Sequence, residues 1–432
     1  MTLEVTVENK GTTPIYQLRG ITKSDNAYLS DKELVFGRID PGKKRVAKAP
    51  LGWCTVDGRK GGTIKPLPAQ AKRTCQIPKD AATREDVVMV KFEAATGEVP
   101  GDVEIRPTVH SLPKPLFAYA YQVLDNRPGN GDGQLERGEG ATIYLRVKNI
   151  GKGTSFETQA NLRNLTGDGL LLHAGRFDIS NMKPGDERQV ALTFDVLKNL
   201  DEDSAKVELS VVDRDLRVIS SEKVTLPIVQ EGLAQKPAPG RVQTNANARV
   251  LAQPLVQGGM VGEFPKGSVV ERISTIGEFT KVRIEGDRFG FIATSSLSDA
   301  ASRPTTGTFL PSLRRSPPVI ELEPVALSTR ETHVPITGFV TDSDRVSDVF
   351  VFVGNRKTYY RAAPKQTDTQ RLPFETRIDL NPGVNVVTVV ARENADTVSR
   401  VNLIIRRDAP SGAYLPTPKS ELFGEDWEFE GE

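Results

Sequence analysis

Apolar and polar residues alternate along most of this chain with a period of two, which marks a half-buried β-strand. The alternation starts at once: Leu3, Val5 and Val7 interleave with Glu4, Thr6 and Glu8. It returns in ATIYLRVKNIG (Ala141 to Gly151) and in the run AKVELSVVDRDLRVISSEKVTLPIV. The spacing of long amphipathic helices is missing, and frequent Gly and Pro punctuate the strands. These patterns predict an all-β, multidomain chain. A chain that begins inside a strand is expected to belong to something longer, whose upstream part would carry any export signal.

One pattern occurs twice. VTVENKGTTPIYQL (Val5 to Leu18) followed by FGRIDPGKKR matches LRVKNIGKGTSFETQ (Leu145 to Gln159) followed by FDISNMKPGDER. Each copy has a strand, an Asn-x-Gly turn (Asn9/Gly11, Asn149/Gly151), a second strand, and a Phe (Phe36, Phe177) before a Pro-Gly turn. Two related β-sandwiches account for this, over residues 1–112 and 116–230, separated by LPKP (Leu112 to Pro115). QEGLAQKPAPGRVQTNANA reads as a polar linker. Short strands over 249–300, with the turn PKG and the triplet Phe289-Gly290-Phe291, read as a small SH3-like barrel. The glycine is expected to let that strand bend while its aromatic neighbours pack on opposite faces. After a second linker, SRPTTGTFLPSLRRSPP, six strands over 318–408 read as an immunoglobulin-like sandwich. There, alternation at Tyr359-Tyr360 predicts one ring in the core and one outside, where it could serve as a ligand platform. Residues 409–432 end in six acids without a base after Lys419, a composition that predicts a disordered acidic tail.

Composition narrows the partners. The 432 residues suffice for about three or four domains, and the formal charge of +1 gives no global pull toward nucleic acid or membrane. No apolar stretch approaches the roughly eighteen residues that span a bilayer. The stretch Lys43 to Lys79 is strongly basic, with Asp57 its only acid. It would suit an anionic surface, a carboxylate-bearing peptide or the chain's own acidic tail, or it is a solvated insertion. Trp53 is the only aromatic among these charges, which disfavours nucleic acid. Within that stretch stand the only cysteines, Cys54 and Cys75. A disulfide between them would close a loop of about twenty residues and stabilise by roughly 3 kcal/mol in the chain-entropy model. Two buried free thiols are the alternative, and a zinc site is excluded for want of further ligands.

The most specific local signal is DNRPGNGDGQLERGE (Asp125 to Glu139). Against the calcium-loop pattern it places Asn130, Asp132, Gly133 and Glu139 at the third, fifth, sixth and twelfth positions. The first position falls on Pro128, which has no side-chain oxygen, so Asp125 is the natural substitute. Gln134 would add a backbone carbonyl, and Glu136 could ligate directly or through water. The segment after Glu139 has the period of a strand and not that of an EF-hand's exit helix. The loop therefore opens a β-domain, either as a structural calcium site or as a metal-free Asx/Gly turn built from the same residues.

Nothing comparable points to catalysis. His110, His173 and His333 fall in three different predicted domains, too far apart to share a triad. There is no G-x-S-x-G, H-E-x-x-H or phosphate-cradling glycine loop. A serine–lysine dyad needs no histidine, but serine and lysine are too common here to locate one.

The order of these modules resembles the C-terminal half of carboxyl-terminal processing (tail-specific) serine proteases of the myxobacterial type. The segment FETQANLRNLTGDGLLLHAGRFDISNMKPG (Phe156 to Gly185) and the pair DVFVFVGNRKTYYR and GVNVVTVVAREN carry that likeness, with the cysteines. The resemblance implies upstream PDZ and peptidase domains with a serine–lysine dyad. Neither has a counterpart here, so no catalytic residue transfers to this sequence. It also implies an extracytoplasmic place, in the periplasm, envelope or outside the cell, which suits a disulfide. The expected role is then a non-catalytic scaffold that docks a peptidase, its protein substrate or the envelope. Alternatives are a stand-alone adhesion or peptidoglycan-binding protein, with the barrel as the binding module, and an active peptidase with an unrecognised site.

Overall fold

A computed structural model describes residues 1–56, 73–126, 129–300, 308–313, 316–364, 369–395 and 397–418. The centre of the basic stretch, Pro128 and the acidic tail from residue 419 lie outside the described residues. The chain is all-β. Among the described residues the one helical element is a single 3-10 turn, Thr294–Ser296. Two compact units divide it. One comprises Met1–Leu112, Val319–Ala391 and Ser399 onward, the other Pro113–Pro318 and Arg392–Val398.

The first sandwich contains β1 (Thr2–Glu8), β2 (Ile15–Ser24), β3 (Glu33–Ile39), β4 (Lys44–Pro50), β5 (Trp53–Val56), β6 (Arg73–Gln76), β7 (Arg84–Glu85), β8 (Val88–Glu93), β9 (Val103–Ile105) and β10 (Thr108–Val109). One layer is the pair β1-β4, and the other runs β3-β2-β8-β9. Leu18, Leu34, Phe36, Ile39 and Val90 pack against Val7, Ala47 and Ala49 between them. In the hairpin β5-β6, Cys54 stands opposite Cys75 and the two form a disulfide.

The second sandwich contains β11 (Phe117–Asn126), β12 (Leu135–Glu136), β13 (Gly140–Asn149), β14 (Ser155–Asn164), β15 (Leu170–Ala174), β16 (Arg176–Met182), β17 (Glu187–Val196), β18 (Ser204–Asp213) and β19 (Val218–Val229). Its layers run β11-β13-β17-β15 and β12-β19-β18-β14-β16. Within these lies the plan of the first sandwich: β13-β17 answers β1-β4, and β16-β14-β18-β19 answers β3-β2-β8-β9.

The repeated asparagine pins both folds in the same way. Asn9 Nδ2 donates to the carbonyls of Thr13 and Ile39, while its Oδ1 accepts the Gly11 N–H. Asn149 Nδ2 donates to Gly153 and Met182, and its Oδ1 accepts from Gly151. The backbones repeat as well: Gly42 donates to the Asn9 carbonyl and Gly185 to that of Asn149, at 2.7 and 2.8 Å. A buried amide with every group paired fixes one corner geometry, because any other would leave polar atoms orphaned.

The barrel contains β20 (Lys236–Thr244), β21 (Ala248–Leu251), β22 (Met260–Phe264), β23 (Val269–Ile276), β24 (Phe279–Glu285), β25 (Arg288–Ala293), β26 (Leu297–Asp299) and β27 (Leu310–Pro311). They form one eight-stranded sheet, β26-β20-β23-β24-β25-β21-β22-β27, around Val242, Val250, Phe264, Val282 and Ile292. Two expectations fail here. Both segments read as linkers supply strands: β20 lies in QEGLAQKPAPGRVQTNANA and β27 in SRPTTGTFLPSLRRSPP. The barrel therefore begins before residue 249. The outer face of β20 is polar, and only Val242 and Thr244 are buried, so its alternation is too short to register.

The last sandwich contains β28 (Val319–Leu322), β29 (Ser328–Thr329), β30 (His333–Thr341), β31 (Asp348–Val353), β32 (Arg356–Ala362), β33 (Arg371–Asp379), β34 (Gly383–Arg392) and β35 (Val398–Arg407). Its sheets run β28-β30-β33 and β29-β35-β34-β31-β32. The tyrosines alternate as expected. Tyr359 packs on the core beside Phe374, whereas Tyr360 is exposed and lies against Phe350.

Candidate functional site

The acidic loop joins β11 to β13, so it does not open its domain: a full strand precedes it. Its polar side chains turn inward onto the loop's own backbone. Both oxygens of the buried Asp125 carboxylate accept N–H groups, from Asp132 at 2.8 Å and Gly133 at 2.9 Å. Asn130 Oδ1 accepts from Asp132, and Asp132 accepts from Gln134 and, across the connector to the barrel, from Leu233. Glu139 accepts from Asn130 and Glu136, both at 3.0 Å. Glu136 accepts from the Asn130 amide at 2.6 Å. These are the bonds of nested Asx turns, and Gly131 and Gly133 allow them by adopting φ of +74° and +88°.

The barrel closes this loop. Lys281 of β24 is 7% exposed and donates from Nζ to the Gly131 carbonyl, 3.8 Å above the centre of the Phe289 ring. A Cβ on Gly133 would stand 2.6 Å from Phe291. Leu124 and Tyr144 of the sandwich share an apolar cluster with Leu251, Ile276, Phe289 and Phe291 of the barrel. Phe289 and Phe291 thus lie on the same face, edge to face at 5.8 Å. The expectation of opposite faces fails because residues two apart on a strand share a side. Beside them Gln122 Nε2 donates to the Phe289 carbonyl at 2.7 Å, and Arg288 donates to Gln122 and Gln189.

Burial raises the Asp125 pKa to about 6, with the neighbouring Asp132 charge pushing the same way. Burial likewise lifts Glu139 to about 7, helped by Asp125 and Glu136. Burial lowers the Lys281 pKa, and Asp125 and Asp132 oppose that shift. The Lys281 ammonium thus lies against the loop, bonded to the Gly131 carbonyl and within the field of Asp125 and Asp132. Calcium needs about six to eight oxygens converging at roughly 2.3–2.6 Å. Among the described residues no three His, Cys, Asp or Glu side chains converge on a common point. As arranged, Asp125, Asn130, Asp132, Gln134, Glu136 and Glu139 form a closed turn and do not fit that ion. The metal-free alternative accounts for their bonds.

The other unit has a latch of its own, for which the sequence offers no local signal. Arg406, 1% exposed, donates to Asp408 at 3.0 Å, to Asp25 of the first sandwich at 3.1 Å and to the Leu415 carbonyl at 2.9 Å. Tyr414 and Thr417 also donate to Asp25, and Arg106 donates to Asp408. The Tyr414 pKa is pushed up to about 12 by burial and by Asp25. A polar cleft of about 430 Å³ beside this latch is lined by Glu104, Arg106, Thr329, Arg330 and Asp408. The histidines remain apart. His173 meets Asp195 at 2.8 Å, and His333 meets Asp379, its partner in the β30-β33 register, at 2.8 Å, with Thr332 on its other nitrogen. Both rings are largely exposed.

No family model and no curated protein matches this chain. Among solved structures, a Ca2+-stabilized adhesin with which an Antarctic bacterium reaches out and binds ice aligns over 94% of this chain and 93% of its own. The identity is 8% and the TM-score 0.21, values at which the likeness carries no argument about either chain.

Proposed function

We propose that this chain is a non-catalytic, extracytoplasmic array of β-domains that binds an envelope surface and holds it at a set distance. One observation carries the reading. Buried charged groups, Lys281 bonded to the Asp125 loop and Arg406 with Asp25 and Asp408, close joints between neighbouring domains. Such pairs, inaccessible to a substrate, specify geometry more than they add stability. The Cys54–Cys75 disulfide supports an oxidising compartment. No helix among the described residues is long and apolar enough to cross a membrane. The test is retention of the purified chain on intact cells and on isolated peptidoglycan. Saturable retention on either is expected, and none on both would sink the proposal.

The order of the four domains favours a second reading, in which the surface bound is a PDZ-peptidase polypeptide or its protein substrate. Co-purification of a serine peptidase with the chain, in place of wall retention, would select it.

A further inference from the structure

The larger sheet of the last sandwich ends on β32, RKTYYRA, whose only neighbour strand among the described residues is β31. Ala363 donates to the Ser347 carbonyl at 2.8 Å, which fixes the phase of this ladder. Arg361, opposite Val349, turns its backbone groups toward β31, and those of Tyr360 and Ala362 point away from the sheet. Val349, Val351 and Val353 face the core, so Phe350 and Phe352 lie on the outer face. There Tyr360, 51% exposed, holds its ring 4.9 Å from that of Phe350, which stacks on Phe352 at 6.2 Å. A register shift after Val351 brings Lys357 opposite Phe352, and its Nζ lies 5.5 Å from the centres of both the Phe350 and Tyr360 rings. Arg356 and Arg361, opposite Val353 and Val349, are exposed along the other side of the edge. Arg356 donates to the Asp379 carbonyl, and no carboxylate among the described residues pairs with Arg356, Lys357 or Arg361.

We propose that this edge takes up an extended acidic segment of a partner protein as an added strand. The outward N–H and C=O groups of Tyr360 and Ala362 supply the ladder. Side chains of the added strand alternate between the two faces. The one beside Tyr360 meets the rings, which suit an apolar group. Its neighbours emerge on the side of Arg361 and Arg356, which suit carboxylates. The partner segment therefore alternates apolar and acidic residues. The core uses Tyr359 and leaves Tyr360 outside, so the platform is built without cost to the sandwich. Charge also turns away the usual occupant of an open edge, a second copy of the same strand. β32 carries three cations and no acid, so pairing with its own kind gathers like charges at one seam, whereas an acidic strand neutralises them. An anionic glycan would use the rings and the cations but has no backbone to continue the ladder.

Fluorescence anisotropy on the full chain, with a labelled synthetic peptide that alternates glutamate with leucine, tests the edge. Saturable binding that weakens as salt rises is expected, and none of the counterpart with lysine for glutamate. Arg361→Glu should weaken the peptide about tenfold. Ala362→Pro removes an outward N–H and should weaken it about fivefold, at one hydrogen bond lost. Its melting curve should be close to the parent's, since proline is tolerated on an edge. Should that variant misfold, N-methylation of the peptide backbone makes the same test from the ligand's side and should abolish binding. No binding of the glutamate peptide, or binding indifferent to both Ala362→Pro and N-methylation, overturns the proposal. So does binding of polygalacturonate in preference to the peptide, which would give the patch to an anionic glycan. Failure of the peptide leaves the surface-binding reading standing, since that is tested by retention on cells and peptidoglycan.

Discussion

Ile143, Leu145 and Val147 are sealed inside the second sandwich, while Leu3 and Val5 at the matching positions of the first stay half-open. Strand order does not cause this, for both domains repeat β1-β4 and β3-β2-β8-β9 or their counterparts. Nor does the corner, which an asparagine pins to the same backbone groups in each. Among the described residues the second domain carries strands on the edges of this pair that the first does not. β11 covers one edge, β15 the other, and the loop after β11 carries the joint to the barrel. The first domain carries instead the disulfide hairpin and Asp25, its half of a different joint. A shared frame thus tolerates different edges, because the pinned corner and the inner layer determine it and the outer strands do not.

Four measurements would break or sharpen that contrast. The largest expected effect is Lys281→Met. It strips the loop of its internal cation and leaves the Gly131 carbonyl and two buried carboxylates uncompensated, at about 3–5 kcal/mol. Hydrogen exchange should show the loss in the second sandwich and barrel, with β1 to β4 unchanged. The parent protein should melt at the same temperature with calcium or chelator. A bound ion at a hundred times its dissociation constant would instead add about 2.7 kcal/mol, and such a rise would restore the calcium reading.

Next come Asn9→Ala and Asn149→Ala. Each removes two buried donors and an Asx turn, and each should cost about 2–3 kcal/mol in its own domain, read by denaturant unfolding. Unequal losses would show that the two corners are alike in shape but not in weight. The smallest effect is that of pH. Folding raises the pKa of Asp125 to about 6 and of Glu139 to about 7, so it favours their protonated forms. The stability they contribute is complete below the ordinary carboxylate range and is lost as pH rises through about 6 to 7. The unit holding the loop should therefore melt somewhat higher at pH 5 than at pH 8. Asp125→Asn should flatten that difference, and the first sandwich should show none from this source.

Much of the architecture was legible because each strand has one face in a core. The alternation of Leu3, Val5 and Val7, the twin Asn-x-Gly turns and the Tyr359-Tyr360 pair all read correctly for that reason. β20 and β27 were not legible, since short edge strands with one polar face have the composition of linkers. The loop residues were found by motif, yet what their oxygens bind was not. A carboxylate that accepts backbone N–H groups and one that ligates a metal need the same residue at the same position. Lys281 was missed because alternation assigns it to the solvent side of the barrel strand, between the core residues Thr280 and Val282. Arg406 and Asp25 are separated by most of the chain, and no local pattern links them.

The amino-acid sequence by itself determined the all-β class, the duplicated sandwich and the corner asparagines, because periodicity and turn chemistry act between residues close in the chain. Only the tertiary structure decided which charged groups became joints. Burial of Lys281 over Phe289, and of Arg406 against Asp25, depends on a second domain arriving to exclude water. Desolvation of that kind is a property of the packed surfaces, not of any stretch of sequence.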